Sequence, residues 1–417
     1  MQGLAPDNGL YMPERISAFD KEFFAALPDR GFADIAFDVA RAFVGDDVPQ
    51  DELRRMVDHT ITFDAPLVEV EPGVFALELF HGPTMAFKDF GARFMSQLLG
   101  YFAASVGKEV VILVATSGDT GSAVANGFLG VPGIRVVVLY PSGKVSDVQE
   151  KQFTTLGQNI TALEVKGTFD DCQRLVKTAF LDKRLTSEYF LTSANSINIA
   201  RLIPQSFYYF YAWSRRPDIS RPAVFSVPSG NFGNLTAGLL AARMGLPVQR
   251  FIAATNVNDV VPEYLRTGQL VPRTSKQTMS NAMDVGNPSN FARMMDLYGS
   301  DLAKVSHDIA GYSFTDEETA TAMRDVAART GYILDPHGAV GYLGLKSYLE
   351  RHPGADGVFL ETAHPAKFGE SVEAVIGQSI ALPPALARFA AGVKQTILTD
   401  SDYEAFKDIL LDQLKSR

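Results

Sequence analysis

Lys88 stands among Met85, Phe87 and Phe90 in the run His81-Gly82-Pro83-Thr84-Met85-Ala86-Phe87-Lys88-Asp89-Phe90-Gly91. Apolar neighbours disfavour an ammonium and depress a lysine's pKa, which suits Schiff-base chemistry. The plainer reading is a lysine that snorkels from a partly buried helix or pairs with Asp89, and this segment alone favours it. A second segment is Thr116-Ser117-Gly118-Asp119-Thr120-Gly121, placed between an expected strand and an expected helix. Its hydroxyls and amides converge at a helix N-terminus, which favours anions. A plain turn with Asp119 as N-cap serves equally well. A third segment, Pro228-Ser229-Gly230-Asn231-Phe232-Gly233-Asn234, again follows a strand and precedes a helix. There Gly230 and Gly233 let the backbone approach a ligand, and successive amides could cradle a phosphate dianion. No two glycines in the chain are separated by a single residue, so G-x-G-x-x-G is absent. No Gly-Lys-Ser/Thr follows the loop either, so neither a dinucleotide fingerprint nor a P-loop is present. A reactive lysine, a phosphate cup and a second anion loop are together what a pyridoxal-phosphate site needs.

The elements around these segments alternate. Residues 110–115, a continuous run rich in Val and Ile, read as a buried strand, and 134–140 and 160–165 read as the next two strands. Helices are expected from about Thr120, across 146–156 and across 170–185. A second series has strands at 223–227, 250–254 and 357–360, a glycine turn at 229–234 and a helix at 235–244. Residues 199–214 read as helical, with Pro204 kinking or splitting the segment. This rhythm predicts an α/β protein with parallel sheets in two domains, and a cofactor in the cleft between them.

The chain has 417 residues, 46% hydrophobic and 21% charged, with a formal charge of −10. That length suits two or three domains and a large core. The acidic balance argues against non-specific nucleic-acid binding, which needs clustered Lys and Arg. A single cysteine, Cys172, excludes an internal disulfide and a cysteine-cluster metal site, as in a reducing compartment. The six histidines are scattered, and no metal is expected. The first residues lack a basic start and an apolar run, and the longest charge-free stretch, through Val224 and Leu240, is broken at Pro228-Ser229-Gly230-Asn231. A cytoplasmic protein without a signal peptide or membrane span is expected.

The run around Lys88 and the Ser-Gly-Asn-Phe-Gly-Asn loop resemble the threonine synthase family of fold type II pyridoxal-phosphate enzymes. The resemblance extends to Gly3-Leu4-Ala5-Pro6-Asp7-Asn8-Gly9-Leu10-Tyr11, Ser193-Ala194-Asn195-Ser196-Ile197-Asn198, Ala282-Met283-Asp284-Val285-Gly286-Asn287-Pro288 and Thr362-Ala363-His364-Pro365-Ala366-Lys367. It covers nearly the whole chain and matches the bacterial and fungal class, without the plant regulatory extension. It implies a two-domain, tryptophan synthase β-like α/β fold. Residues 1–79 would begin a large domain, 80–190 would form a small domain, and 191–417 would complete the large one with the cofactor phosphate loop.

The resemblance also implies roles. Lys88 would hold pyridoxal 5'-phosphate covalently and later move protons. Gly230, Asn231, Phe232, Gly233 and Asn234 would bind the cofactor phosphate, and Thr362 would offer its hydroxyl to the pyridine nitrogen. Asp119 would either face the cofactor's 3′ oxygen and share a proton with it or point away as a helix cap. Thr116, Ser117 and Thr120 would hold the substrate carboxylate. Asn195, Ser196 and Arg201 would grip the substrate phosphate, Arg201 through its planar fork. Arg201 could instead bridge to a surface carboxylate, His337 and His364 could be ligand-side groups although a satisfied core histidine is the commoner case, and Lys367 reads as a solvated cation near Glu370.

Two departures from the family pattern stand out. The signature begins almost at Met1, where family members carry a short preceding segment, so the start is either misassigned or truncated. Gly338 occupies a position where family members often carry Thr or Ala, and a glycine there would loosen a helix start.

The implied reaction converts O-phospho-L-homoserine and water to L-threonine and phosphate, a carbon–oxygen lyase reaction in threonine biosynthesis. The partner is the small-molecule substrate, and the chain would be a monomer or a homodimer. A threonine dehydratase-like lyase and a non-catalytic binding relative are the rivals. The Asn195/Ser196/Arg201 set weighs against the first, and intact Lys88 and phosphate loop weigh against the second.

Overall fold

The computed structural model describes Gly3, Ala5, Asp7 and residues 9–415. Within the N-terminal signature, Leu4, Pro6 and Asn8 lie outside the described residues. The strands are β1 (Leu67–Glu71), β2 (Val74–Glu78), β3 (Val110–Ala115), β4 (Ile134–Pro141), β5 (Ile160–Lys166), β6 (Phe190–Thr192), β7 (Ala223–Pro228), β8 (Arg250–Thr255), β9 (Ile309–Ser313), β10 (Asp356–Glu361) and β11 (Ile397–Asp400).

The chain divides into two units. The first comprises Pro83–Arg201 with the described parts of Met1–Tyr11 and Leu382–Arg417. Its sheet runs β11-β5-β4-β3-β6, and every pairing is parallel. The central strand β3 is apolar along its whole length, because its two faces pack into two separate cores. Along β3, Val110, Ile112 and Val114 pack into one core with Met95, Phe128 and Phe153. Val111, Leu113 and Ala115 pack into another with Leu175, Phe406 and Leu410. The expected helix over 170–185 is two helices, Phe169–Leu181 and Lys183–Glu188. Asp182 divides them, because its carboxylate accepts from the amides of Arg184 and Leu185 and caps the second.

The sequence reading kept 382–417 with the large domain, whereas β11 pairs with β5 and adds an edge strand to the first unit's sheet. The helix Tyr403–Lys415 buries Phe406, Leu410, Leu411 and Leu414 there.

The second unit comprises Met12–Gly82 and Leu202–Ala381. Its sheet runs β1-β2-β10-β7-β8-β9, with only the β1–β2 pair antiparallel. The segment after residue 199 splits at Pro204 as expected, into Ile199–Leu202, a 3₁₀ turn at Ile203–Ser206, and Phe207–Ser214. The missing proline amide and the clash of its ring account for the break. Segments that follow β3 and β6 in the first unit, and β7 and β10 in the second, carry candidate residues, while Lys88 opens the first helix of the first unit. No helix among the described residues is long and apolar enough to cross a membrane.

Candidate active site

In the first unit, Lys88 opens the helix Lys88–Ala103. The preceding backbone turns through Met85, a non-glycine residue at φ 55°. A buried acid fixes this turn: Asp89 accepts from the Thr84 amide at 2.8 Å and the Thr84 hydroxyl at 2.6 Å. Asp89 thus holds this turn through Thr84. The Lys88 side chain is 16% exposed, and its Nζ lies 3.5 Å from Asp119 Oδ2 and 4.9 Å from the Phe87 ring centre. A largely buried amine beside a carboxylate and an aromatic face is poorly hydrated, as a Schiff-base lysine requires.

Asp119 begins the helix Asp119–Gly127, but Gly118 is its N-cap and the Asp119 side chain does not cap it. Its second oxygen, Oδ1, accepts from Gln149 Nε2 at 2.8 Å, and Gln149 Oε1 accepts from the Ser146 hydroxyl at 3.0 Å. Gln149 thus aims the carboxylate at Lys88. Sequence reading missed it, since nothing marks a glutamine 30 residues away as a partner.

Thr116 is buried and spends its hydroxyl inside the turn. It accepts from the amides of Gly118 (2.9 Å) and Gly121 (2.8 Å). Its own amide donates to Leu139. Ser117 is exposed and Thr120 half-buried, and neither hydroxyl has a protein partner among the described residues. Of the three residues expected to hold a carboxylate, Ser117 and Thr120 keep free donors, and Thr116 shapes the turn.

Asn195 and Ser196 are half-buried, and Asn195 Oδ1 is enclosed without a hydrogen-bond partner. Arg201 is only 3% exposed, so the surface bridge considered for it is ruled out. Its Nη1 donates to the Ala194 carbonyl. Burial pulls its guanidinium down to about 10, with the Asp89 charge opposing. Arg201 therefore ties the 193–198 turn to the helix carrying Lys88 and Asp89.

In the second unit, β7 leads into the loop before the helix Gly233–Arg243. The amides of Gly230, Asn231, Phe232, Gly233 and Asn234 donate to no protein acceptor among the described residues. Phe232 adopts the left-handed region at φ 59°, which turns successive N–H groups to one side. A Cβ at Gly230 would lie 2.8 Å from Met283 Cα and 2.9 Å from the Ala282 carbonyl, so the position admits only glycine. Asn234 is held by two tyrosines: its Oδ1 accepts from Tyr208 (2.7 Å) and Tyr209 (2.8 Å). Its Nδ2 is enclosed without an acceptor. Five open amides and an orphaned buried N–H₂ at a helix N-terminus fit a phosphate dianion. Asn231 is exposed, and its side-chain oxygen accepts from the Ser289 amide and hydroxyl.

Thr362 follows β10, is 7% exposed, and has a hydroxyl with no protein partner among the described residues. His364 caps the next turn by accepting from the Ala366 amide at 3.1 Å, and burial lowers its pKa. Lys367 is 1% exposed and so is not the solvated cation expected beside Glu370. His337 is a satisfied core histidine, as read: Nδ1 faces Asp335 at 2.6 Å and Nε2 accepts from the Ala282 amide.

The family model described as "Pyridoxal-phosphate dependent enzyme" matches residues 59–361. Models described as "Threonine synthase N terminus" and "Threonine synthase, C-terminal" match 1–61 and 338–410. The threonine synthase of Escherichia coli (strain K12) is 46% identical, over 99% of this chain and 95% of its own length. That of Serratia marcescens is 48% identical, over 93% of this chain and 89% of its own. A crystal structure of pyridoxal-phosphate-bound threonine synthase from Brucella melitensis superposes with a TM-score of 0.93 at 36% identity, covering 99% of this chain and 95% of that one.

Proposed function

The chain belongs to the threonine synthase family of fold type II pyridoxal-phosphate enzymes, and from that premise we propose that it converts O-phospho-L-homoserine and water to L-threonine and phosphate. The observation that carries the reading is the open row of amides at 230–234 with the orphaned Asn234 Nδ2, a receptor for the phosphate of pyridoxal 5'-phosphate. When bound at Lys88, the cofactor supplies an electron sink for carbanions at the substrate's α and β carbons.

The protein's residues supply the rest. Lys88 Nζ would hold the cofactor and, when free of it, would take up the α-proton. Asp119, aimed by Gln149, would face the cofactor's 3′ oxygen, and an acid and a phenolic oxygen side by side would share a proton. The Thr362 hydroxyl would meet the pyridine nitrogen; a hydroxyl is too weak an acid to keep it protonated, which would temper the sink. Ser117 and Thr120 donate to the substrate carboxylate on a turn that Thr116 fixes. Asn195 and Ser196 meet the substrate phosphate, and buried Arg201 supplies positive charge behind them. The α-proton and one β-proton are removed and the Cγ–O bond breaks to release phosphate; protons then return to Cγ and Cα, and water gives its hydroxyl to Cβ and its remaining proton to the released phosphate, so that one water is consumed per threonine and phosphate formed.

The reading places the enzyme in the cytoplasm, as a monomer or a homodimer. Product analysis tests the reaction. Incubation with O-phospho-L-homoserine should yield threonine and phosphate in equal amounts. Release of 2-oxobutanoate and ammonia as main products, or no turnover by cofactor-loaded protein, would overturn it.

A further inference from the structure

At the C-terminal end of the second unit's sheet, β2 and β10 finish on two facing acids, with Glu361 opposite Glu78 in parallel register. A third, Asp335, caps the helix Pro336–Leu349, accepting from the His337 amide (2.7 Å) and the Gly338 amide (3.4 Å). Glu361 and Asp335 are both 0% exposed. The known reaction assigns no part to either.

The hydrogen bonds show how three acids share so small a space. Glu361 Oε1 accepts from the Asp335 amide at 3.0 Å. Asp335 Oδ1 faces His337 Nδ1 at 2.6 Å, and His337 Nε2 accepts from the Ala282 amide at 3.2 Å. The ring proton therefore sits on Nδ1 and is spent on Asp335. Glu78 takes the Tyr332 hydroxyl at 2.9 Å and His81 Nε2 at 2.7 Å. That leaves Glu361 Oε2, fully enclosed and with no donor directed at it. An ionised oxygen in that position would be an uncompensated buried charge between two acids. A protonated one is a donor, and its partner is the Asp335 carboxylate beside it.

We propose that Glu361 is a positioning residue that works as a neutral carboxylic acid, donating its own proton to Asp335. This ties the end of β10, and with it Thr362, to the helix start and the 282–285 turn that backs Gly230. The chain of contacts is continuous: Glu361 to Asp335, Asp335 to His337, His337 to the Ala282 amide, and Ala282 and Met283 against Gly230. Its functional part rests on the assignment of Thr362 to the cofactor ring.

Two further observations fit. A Cβ on Gly338 would fall inside the van der Waals radius of Glu361 Oε2, so the missing side chain at 338 is the space that the Glu361 carboxyl fills. Burial, then the neighbouring Asp335 and Glu78, pushes Glu361 well above the usual carboxylate range. Burial also opposes ionisation of Asp335, yet His337 and the hydrogen bond from Glu361 hold it below that range. Around the pair stand Glu78 and His81 at the end of β2, Tyr332 ahead of the helix, His337 on it, and His364 and Lys367 after β10. No group of three acids, histidines or cysteines among the described residues is placed to hold a metal.

Because the folded state keeps a proton that the unfolded chain releases, the stabilisation from Glu361 is full below the ordinary carboxylate pKa. It is lost as pH rises towards the folded value. The experiment uses the cofactor-loaded enzyme with E361Q, E361A and G338A. At neutral pH the infrared spectrum in D₂O should contain a protonated-carboxyl band that E361Q lacks. The melting temperature and kcat/KM of wild type should fall on the alkaline side, while E361Q, which cannot ionise, stays level. E361A should lose about tenfold in kcat/KM, the effect of stranding buried partners, and Gln should recover most of it. G338A should be costly alone and mild in an E361A background. The proposal is overturned if the band survives in E361Q, if the two pH profiles run parallel, or if Gln is as damaging as Ala. Should E361A fail to fold, the infrared band and the E361Q profile still decide. An inactive wild type would instead count against the proposed reaction, since the band and the stability profile need no turnover.

Discussion

Two strand–turn–helix loops look alike in sequence and differ in what they leave unsatisfied. The 116–121 turn closes on itself: the Thr116 hydroxyl takes the amides of Gly118 and Gly121. What it presents is a directed carboxylate, Asp119, held by Gln149 at 3.5 Å from Lys88 Nζ. The 230–234 loop leaves its own amides open, and its rigidity comes from behind, through Gly230 against Ala282 and Met283 and Asn234 under two tyrosines. A turn that satisfies its own donors orients a side chain, whereas a turn braced from outside can give its donors to a dianion.

The harshest test of this contrast removes the group that the first loop serves. Lys88→Ala should abolish turnover, and borohydride should no longer fix the cofactor to the protein; reduction onto a different lysine would discard the assignment. Next in size is Arg201→Gln. Losing the charged partner of a buried phosphate site costs about 2–5 kcal/mol, so kcat/KM for O-phospho-L-homoserine should drop about thirtyfold or more. A side reaction on L-threonine or L-serine should fall far less, and equal losses on both would mean that Arg201 supports only the fold.

Gly230→Ala and Thr116→Val make the comparison direct. The first overpacks the brace, at about 1–3 kcal/mol, and should weaken cofactor affinity about tenfold or more. The second strands two amides at a similar cost of about 1–3 kcal/mol and should lower the melting temperature more than the cofactor affinity. Identical fingerprints from the two variants would remove the distinction. The smallest effect is spectroscopic. Asp119→Asn should shift the absorbance–pH titration of the bound cofactor, and an unchanged curve would mean that Asp119 shares no proton with it.

What could be read in the sequence follows the range of the interactions. Strand β3 is a continuous apolar run, β4 and β7 are mostly apolar, and the split at Pro204 is local chemistry, so all were legible. The 230–234 loop was legible because Gly, Asn and Gly mark an open turn directly after a strand. Asp182 was not, since an aspartate inside an amphipathic pattern reads as helix surface until its carboxylate is seen capping. The place of β11 was hidden for another reason: parallel pairing to β5, more than 200 residues earlier, leaves no trace in either segment. The depth of Arg201 and Lys367 was equally unreadable, because burial of a charge depends on partners brought by the fold. Gly338 did give a signal, read as a loosened helix start. Asp335 caps that start, and the glycine leaves room for Glu361.

The central claim is a carbon–oxygen lyase rather than a hydrolysis at phosphorus, and isotope-labelled water separates the two. Wild-type enzyme is incubated with O-phospho-L-homoserine in H₂¹⁸O, and both products are analysed by mass spectrometry. Elimination followed by addition of water at Cβ predicts ¹⁸O in the hydroxyl of threonine and phosphate that leaves without the label. Labelled phosphate accompanied by homoserine would contradict the account.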